Sequence, residues 1–340
     1  MSDDTRTARY SHLLAGVGLA LAMTAGTAIG AELPGAGIKM IPAKSSIAEE
    51  NFQTKIVMKG LERLGYDVQP IVELDIPTVH LAVANGDATF FPVHWDPLHN
   101  DFYEHSGGDA KLWRDNALVE NSLQGYLIDK KTADEYGIHN IEQLKDPKLA
   151  ALFDTDGDGK ANLTGCNPGW GCERIIEHQL DAYGLRGSIN HDQGNYTALM
   201  ADTMTRYKQG KPIFYYTWTP FWISNVLKPG QDVVFLEVPF SSQPEDQKQQ
   251  NTQLPNGKDY GWLVNTTRIV VNRDFLEKNP AAKKFFEEVK IPIADINAQN
   301  RAMADGADTP ADIEKHVNGW IKAHEKEFDQ WVNDALAAAK

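Results

Sequence analysis

The sequence predicts an α/β protein of two lobes, each a mostly parallel sheet flanked by helices, with a ligand cleft between them. Three observations carry this. The hydrophobic period switches repeatedly between two and about 3.6 residues, in the order strand, helix, strand, helix, strand. The same order restarts after residue 124. An apolar strand from Trp262 to Val271 then resumes the first half's pattern. The chain therefore leaves the first lobe near residue 124 and returns near 263, which puts lobe 1 at 31–124 and 263–340 and lobe 2 at 125–262. Length agrees, because 340 residues suit two domains of ~150 residues better than one core.

The elements follow in order. Gly37 to Ile41 is a short apolar strand. Ser46-Ile47-Ala48-Glu49 has the spacing of a capping box, opening a helix with Phe52, Ile56, Leu61 and Leu64 near helical spacing. Asp67 to Leu74 reads as a strand, Thr78 to Asn85 as a helix ended by Gly86, and Ala88 to Val93 as an aromatic strand. In the second unit Gly125 to Ile128 is a strand, and Thr132 to Tyr136 and Ile141 to Leu144 are helical. Glu173 to Tyr183 is a helix. Asn195 caps another, which runs to Lys208 and closes at Gly210. Pro212 to Thr217 is a strand. At the end, Ile313, Val317, Trp320, Ile321, Phe328, Trp331 and Val332 make one helical stripe, so Trp320 and Trp331 read as core.

Residues 1–30 read as a secretory signal. Arg6 and Arg9 give a basic start, Leu13 to Met23 an apolar run too short to span a bilayer, and Ala28-Ile29-Gly30 a cleavage site before Ala31. No cysteine precedes Cys166, which rules out a lipid-modified N-terminal cysteine. A soluble exported protein is retained only behind an outer membrane, so the expected compartment is the periplasm. The formal net charge of -14 is the wrong sign for nucleic-acid binding and fits a soluble surface.

Two tryptophans sit in matching local sequences at the ends of strands: His94-Trp95-Asp96-Pro97 and Thr217-Trp218-Thr219-Pro220. The proline cannot donate to a sheet ladder and turns the chain, leaving each tryptophan at the cleft mouth of its lobe. Either alone reads as an ordinary core aromatic; the repetition in both lobes favours a binding role. The only two cysteines bracket a third tryptophan in Cys166-Asn167-Pro168-Gly169-Trp170-Gly171-Cys172. In an oxidising compartment they pair and display Trp170 on a stapled loop. Zinc would need two more ligands nearby, and the spacing is not that of a redox CxxC. The loop runs into the helix near Glu173, so the backbone N–H groups of Gly171 and Cys172 lie at a helix N-terminus, a place suited to a carboxylate. His99, four residues after Trp95, could reach the same carboxylate; on spacing alone it is equally an incidental histidine. Three tryptophans and an anion site describe a zwitterion whose cation carries no N–H. A trimethylammonium group forms no hydrogen bond to a carboxylate but is attracted to aromatic faces.

His94-Trp95-Asp96-Pro97-Leu98-His99, the Cys166–Cys172 loop, Phe214-Tyr215-Tyr216-Thr217-Trp218-Thr219-Pro220 and Asp295-Ile296-Asn297-Ala298-Gln299-Asn300 together resemble the periplasmic glycine betaine/proline betaine-binding proteins of ProU-type ABC importers. The likeness covers essentially the whole chain after residue 30. It implies a two-lobed Venus-flytrap fold and a monomer that delivers glycine betaine or proline betaine to an inner-membrane permease with a cytoplasmic ATPase. It also implies a quaternary-ammonium box of Trp95, Trp170 and Trp218, a carboxylate held by His99 and the N–H groups of Gly171 and Cys172, and a Cys166–Cys172 disulfide. Choline, carnitine or another quaternary-ammonium compound is the alternative ligand. Two departures stand out: Asp96 replaces the family's threonine beside the box, and residues 240–256 are longer and richer in glutamine.

No nucleophile elbow, P-loop, HExxH or dinucleotide fingerprint is present, and neither an enzyme nor a cofactor is expected. Asp154-Thr155-Asp156-Gly157-Asp158-Gly159 matches the start of a calcium loop, but position twelve is Gly165 instead of a bidentate glutamate. Asp154, Asp156 and Asp158 are therefore either a weak calcium site or a polar turn.

Overall fold

The computed structural model describes residues 32–340. The expected signal segment at 1–30 lies outside the described residues. Among them no helix is long and apolar enough to cross a membrane.

One continuous curled sheet joins the lobes. Its strand order is Phe90–Asp96, Asn265–Asn272, Val119–Asp129, Phe214–Thr219, Ala161–Thr164 and Ile189–Asp192. Leu112–Trp113 pairs with the second of these strands and Val233–Phe235 with the third. Two further two-strand pairs, Lys39–Met40 with Asp67–Val68 and Ala43–Lys44 with Val72–Glu73, are parallel. Each lobe thus has a parallel part, but the sheets are mixed where the sequence pointed to mostly parallel ones. Val119–Asp129 and Asn265–Asn272 run antiparallel to every strand they pair with. These are the crossing strands. A strand that passes from one lobe into the next enters a sheet without a βαβ connection, so nothing imposes the parallel sense. The switch is visible in the register: Ser122 pairs with Asn265, and Leu123 already pairs with Thr219.

The apolar residues fall into separate cores. Residues 126–262 supply nearly all of one, centred on Tyr126, Phe153, Ile176, Tyr215 and Trp262. Met40, Ile56, Phe90, Ile269, Phe285, Phe328 and their neighbours form another, and Val79, Phe91 and Val270 sit in a third. The last two cores draw only on residues before 120 and after 268.

Several local expectations shift. The helix Glu50–Arg63 begins three residues later than a capping box at Ser46 requires, and no side chain caps it. Ser45 engages Glu50 instead, its N–H and its hydroxyl each donating to a carboxylate oxygen at 2.7 Å. The tryptophans lie inside their strands, because Trp95 pairs with Thr267 and Trp218 with Gln124. Pairing stops at Pro97 and Pro220, which have no N–H. The C-terminal stripe is shared by two helices, Pro310–Ala323 and Glu325–Ala338, broken at His324, whose ring stacks on Trp320 at 4.2 Å. Trp320 and Trp331 are core residues as expected. The stretch Asp67–Leu74 is two short strands, Asp67–Val68 and Val72–Glu73, separated at Pro70.

Candidate functional site

The sequence places Trp95, His99, Trp170, Gly171, Cys172 and Trp218 far apart, and the fold brings all six to one cavity between the lobes, lined also by Glu50, Gln124 and Tyr216. Trp170 and Trp218 come from lobe 2 with their rings 6.0 Å apart and steeply inclined at 69°. Tyr196 and Phe221 back Trp218 at 4.7 Å and 4.4 Å. Trp95 faces them from lobe 1 and is only half-buried, while Trp170 and Trp218 are 9% and 7% exposed. Packing behind the rings fixes their planes, so a cation entering the cavity meets faces already in place.

The stapled loop is formed: Cys166 and Cys172 are disulfide-bonded, with Cα atoms 6.5 Å apart. The helix Gly171–Ala182 starts two residues earlier than the hydrophobic pattern indicated, so Trp170 is its N-cap and Gly171 and Cys172 its first two residues. First-turn N–H groups have no partner within their own helix. Those of Gly171 and Cys172 border the cavity, where the helix dipole favours negative charge.

His99 is held with one nitrogen free for this site. The Trp95 N–H donates to His99 Nδ1 at 3.1 Å, and the His99 N–H donates back to the Trp95 carbonyl at 2.7 Å. With Nδ1 accepting, the proton of the neutral ring sits on Nε2, which can then donate to a carboxylate. Burial, with the nearby His80 and Arg174, keeps His99 well below the ordinary histidine pKa, so the neutral tautomer is the resting form.

Sequence reasoning missed the scaffold behind His99. Arg114 donates to His94 Nε2 at 2.7 Å, His94 Nδ1 to His80 Nε2 at 2.8 Å, and His80 Nδ1 to the Ile76 carbonyl at 2.7 Å. Each ring in this chain has one donor and one acceptor satisfied. The three imidazoles also lie close enough to share a metal, but both nitrogens of His80 and His94 are already spent on hydrogen bonds. Burial is the main cause that pushes His80 down to about 4 and His94 well below its usual value. A depressed histidine is neutral in the fold and protonated in the unfolded chain below 6.5, so stability is full above 6.5 and falls as pH drops toward 4. Glu50, raised by burial to about 7, works in the opposite direction between 7 and 4.5. The three histidines outweigh it. Chemical denaturation at pH 7.5 and 5.0 should therefore give a loss of roughly 2 kcal/mol at the lower pH, and a flat unfolding free energy would contradict the neutral assignment.

Other sequence features resolve differently. Asp96 does not line the box. Its carboxylate accepts from Arg268 Nε at 2.6 Å, with Arg114 at 3.7 Å, and so ties two strands of lobe 1 together. The glutamine-rich segment reaches between lobes through one contact, Gln247, 3% exposed, donating its amide to the Pro97 carbonyl at 3.0 Å, while Arg174 pairs with Asp246 within lobe 2 and anchors the segment there. Across the other side of the cleft, Asn300 donates to the Pro220 carbonyl at 3.3 Å. Asp154, Asp156 and Asp158 do cluster. The Asp154 carboxylate accepts N–H groups from Asp156, Gly157 and Gly159 at 2.7–3.2 Å, and the loop leads into the strand Ala161–Thr164 with no helix following. The context is that of a hydrogen-bonded turn.

Fold and cavity define a two-lobed binding protein that takes its ligand between lobes. Solved structures of that class superpose on it. One is lactococcal OpuAC in a closed-liganded conformation complexed with glycine betaine, with TM-score 0.66, 20% identity, and coverage of 87% of this chain and 99% of that one. Another is an ABC-transporter choline binding protein in complex with choline, with TM-score 0.68, 17% identity, and coverage of 88% and 96%. At such identities the likeness establishes the fold alone. The sequence is more specific. Residues 39–323 match the family described as the substrate binding domain of ABC-type glycine betaine transport systems, and the chain belongs to it. It is 57% identical over 327 residues to the glycine betaine-binding periplasmic protein OusX of Dickeya dadantii, covering 96% of this chain and 98% of that protein. It is 59% identical over 310 residues to the glycine betaine/proline betaine-binding periplasmic protein of Escherichia coli, covering 91% and 94%. The family is one of binding proteins, not of enzymes.

Proposed function

We propose that this protein captures glycine betaine, and with it proline betaine, in the periplasm and delivers it to an inner-membrane ABC permease driven by a cytoplasmic ATPase. The observation that carries the reading is the meeting of opposite chemistries in one cavity: three tryptophans from two lobes, and His99 together with Gly171 and Cys172 at a helix N-terminus. A quaternary ammonium has no proton to donate, so aromatic faces serve it at roughly 0.5–2 kcal/mol per contact. The carboxylate takes the three donors. Trp95 and His99 belong to lobe 1, and Trp170, Trp218, Gly171 and Cys172 to lobe 2, so a bound zwitterion bridges the lobes and favours their closure. The lobe limits, 31–124 with 263–340 and 125–262, are supported by the pairing switch at Ser122–Leu123 and by the separate cores.

Choline has the cation without the carboxylate, and carnitine lengthens the distance between the two ends. Both would leave part of the anion site unpaired, which disfavours them. Calorimetric titration with glycine betaine, and in parallel with glycine, tests the proposal. Saturable binding of the betaine and no heat from glycine at the same concentrations is the expected result. Equal affinity for the two would mean that the methyl groups are not what the cavity reads, and would overturn it.

A further inference from the structure

We propose that Glu50 is the counter-charge of the aromatic box, ionising as the quaternary ammonium enters, so that ligand capture releases a proton. This rests on the reading of the cleft as a betaine site. Glu50 opens the helix Glu50–Arg63, is 4% exposed, and lines both the cavity of the three tryptophans and an adjoining one that shares Trp95 and Trp218. Among the described residues no cationic side chain lies within ion-pair distance of it. Lys44, the nearest cation, donates instead to Glu73 at 2.7 Å and to the Ser45 carbonyl at 2.7 Å. A buried carboxyl without a cation keeps its proton, and burial is the chief reason that Glu50 titrates near 7.

The surroundings accept both protonation states. As a carboxylate, Glu50 receives the Ser45 N–H and hydroxyl. As an acid, it can donate to the Ser45 hydroxyl oxygen, because a serine hydroxyl both donates and accepts. Lys44 draws the Glu50 carboxyl down but is itself engaged by Glu73, and the remaining groups facing Glu50 favour no charge of their own. Glu49, beside it, is also raised, chiefly by burial. His99 is held neutral. The cavity also receives Gln124 from the crossing strand and Trp170, Gly171, Cys172, Tyr216 and Trp218 from lobe 2, and the Tyr216 phenol is pushed well above its ordinary pKa by burial. A permanent cation seated among the tryptophans is therefore the partner that Glu50 lacks. When it arrives, the Glu50 O–H bond breaks, the proton passes to solvent, and the carboxylate remains hydrogen-bonded to Ser45.

The test is calorimetry of glycine betaine binding at pH 6, 7 and 8, in buffers of different ionisation enthalpy, on the wild type and on Glu50→Gln. Glutamine reproduces the protonated acid in shape and keeps both Ser45 contacts. The wild type should release about half a proton at pH 7, and its affinity should rise roughly tenfold from pH 6 to pH 8; Glu50→Gln should bind with a flat pH profile. A second ligand keeps the test independent of the variant's folding. In 3,3-dimethylbutanoate a carbon replaces the nitrogen, so its binding to the wild type should release no proton. Zero proton exchange with betaine, net uptake, or an unchanged pH profile in Glu50→Gln would overturn the role of Glu50 while leaving the site in place. Absence of betaine binding at every pH would remove the site itself, and this inference with it.

Discussion

Gly171→Ala weakens glycine betaine binding by roughly 10- to 100-fold and leaves the unfolding transition of the ligand-free protein where it was. The expectation follows from where a new methyl group would go. A Cβ on Gly171 would lie 2.8 Å from Leu98 Cγ and 2.9 Å from the Leu98 carbonyl oxygen. Leu98 belongs to lobe 1 and Gly171 to lobe 2, so the collision exists only when the lobes are together. Overpacking of this kind costs about 1–3 kcal/mol, here charged to the closed form alone. Within its own lobe the substitution is mild, since alanine is a better helix former than glycine. Calorimetry and thermal unfolding on the same sample separate the two effects. A drop in stability matching the drop in affinity would show that the clash is felt in the open form as well, and full affinity would show that the lobes do not approach this closely in the complex.

Removing the aromatic faces should have the other large effect. Trp95→Ala, Trp170→Ala and Trp218→Ala each weaken binding by roughly 1–3 kcal/mol. Trp218 stands at the upper end, because it also anchors the stack with Tyr196 and Phe221. A double Trp170→Ala, Trp218→Ala variant should lose more than His99→Ala, which removes one donor of three and leaves the helix N-terminus in place. If His99→Ala were the more damaging, the carboxylate end would dominate affinity. If all three single variants bound as the wild type does, the cage would have no part in binding.

Five of the six residues of the candidate site were legible in the sequence for identifiable reasons, and His99 only through the family resemblance. Trp95 and Trp218 announced themselves through the same Trp-x-Pro sentence at two strand ends, where proline forces pairing to stop. Trp170 was marked by flanking cysteines, and the helix start that offers Gly171 and Cys172 by the hydrophobic period that follows. What sequence periodicity could not give was anything set by the meeting of distant segments. The antiparallel sense of Val119–Asp129 and Asn265–Asn272 depends on how the chain crosses between lobes. The Arg114–His94–His80 chain joins residues up to 34 positions apart, and each histidine alone is indistinguishable from an incidental one. Glu50 was passed over because Ser46 and Glu49 have capping-box spacing, while in the fold it is Ser45 that donates its N–H and hydroxyl to the Glu50 carboxylate. The sequence set Asp96 beside the box because it neighbours Trp95 in the chain. In a strand, successive side chains point to opposite faces, and Asp96 turns to Arg268.

The central claim is that tryptophans from both lobes enclose one trimethylammonium group at the same time. The direct measurement is nuclear Overhauser contacts between the nine equivalent methyl protons of bound glycine betaine and the indole protons of the protein. Contacts to Trp95, Trp170 and Trp218 together are predicted, each lost in its own alanine variant. Contacts confined to Trp170 and Trp218, or to none of the three, would contradict a box assembled by closure of the two lobes.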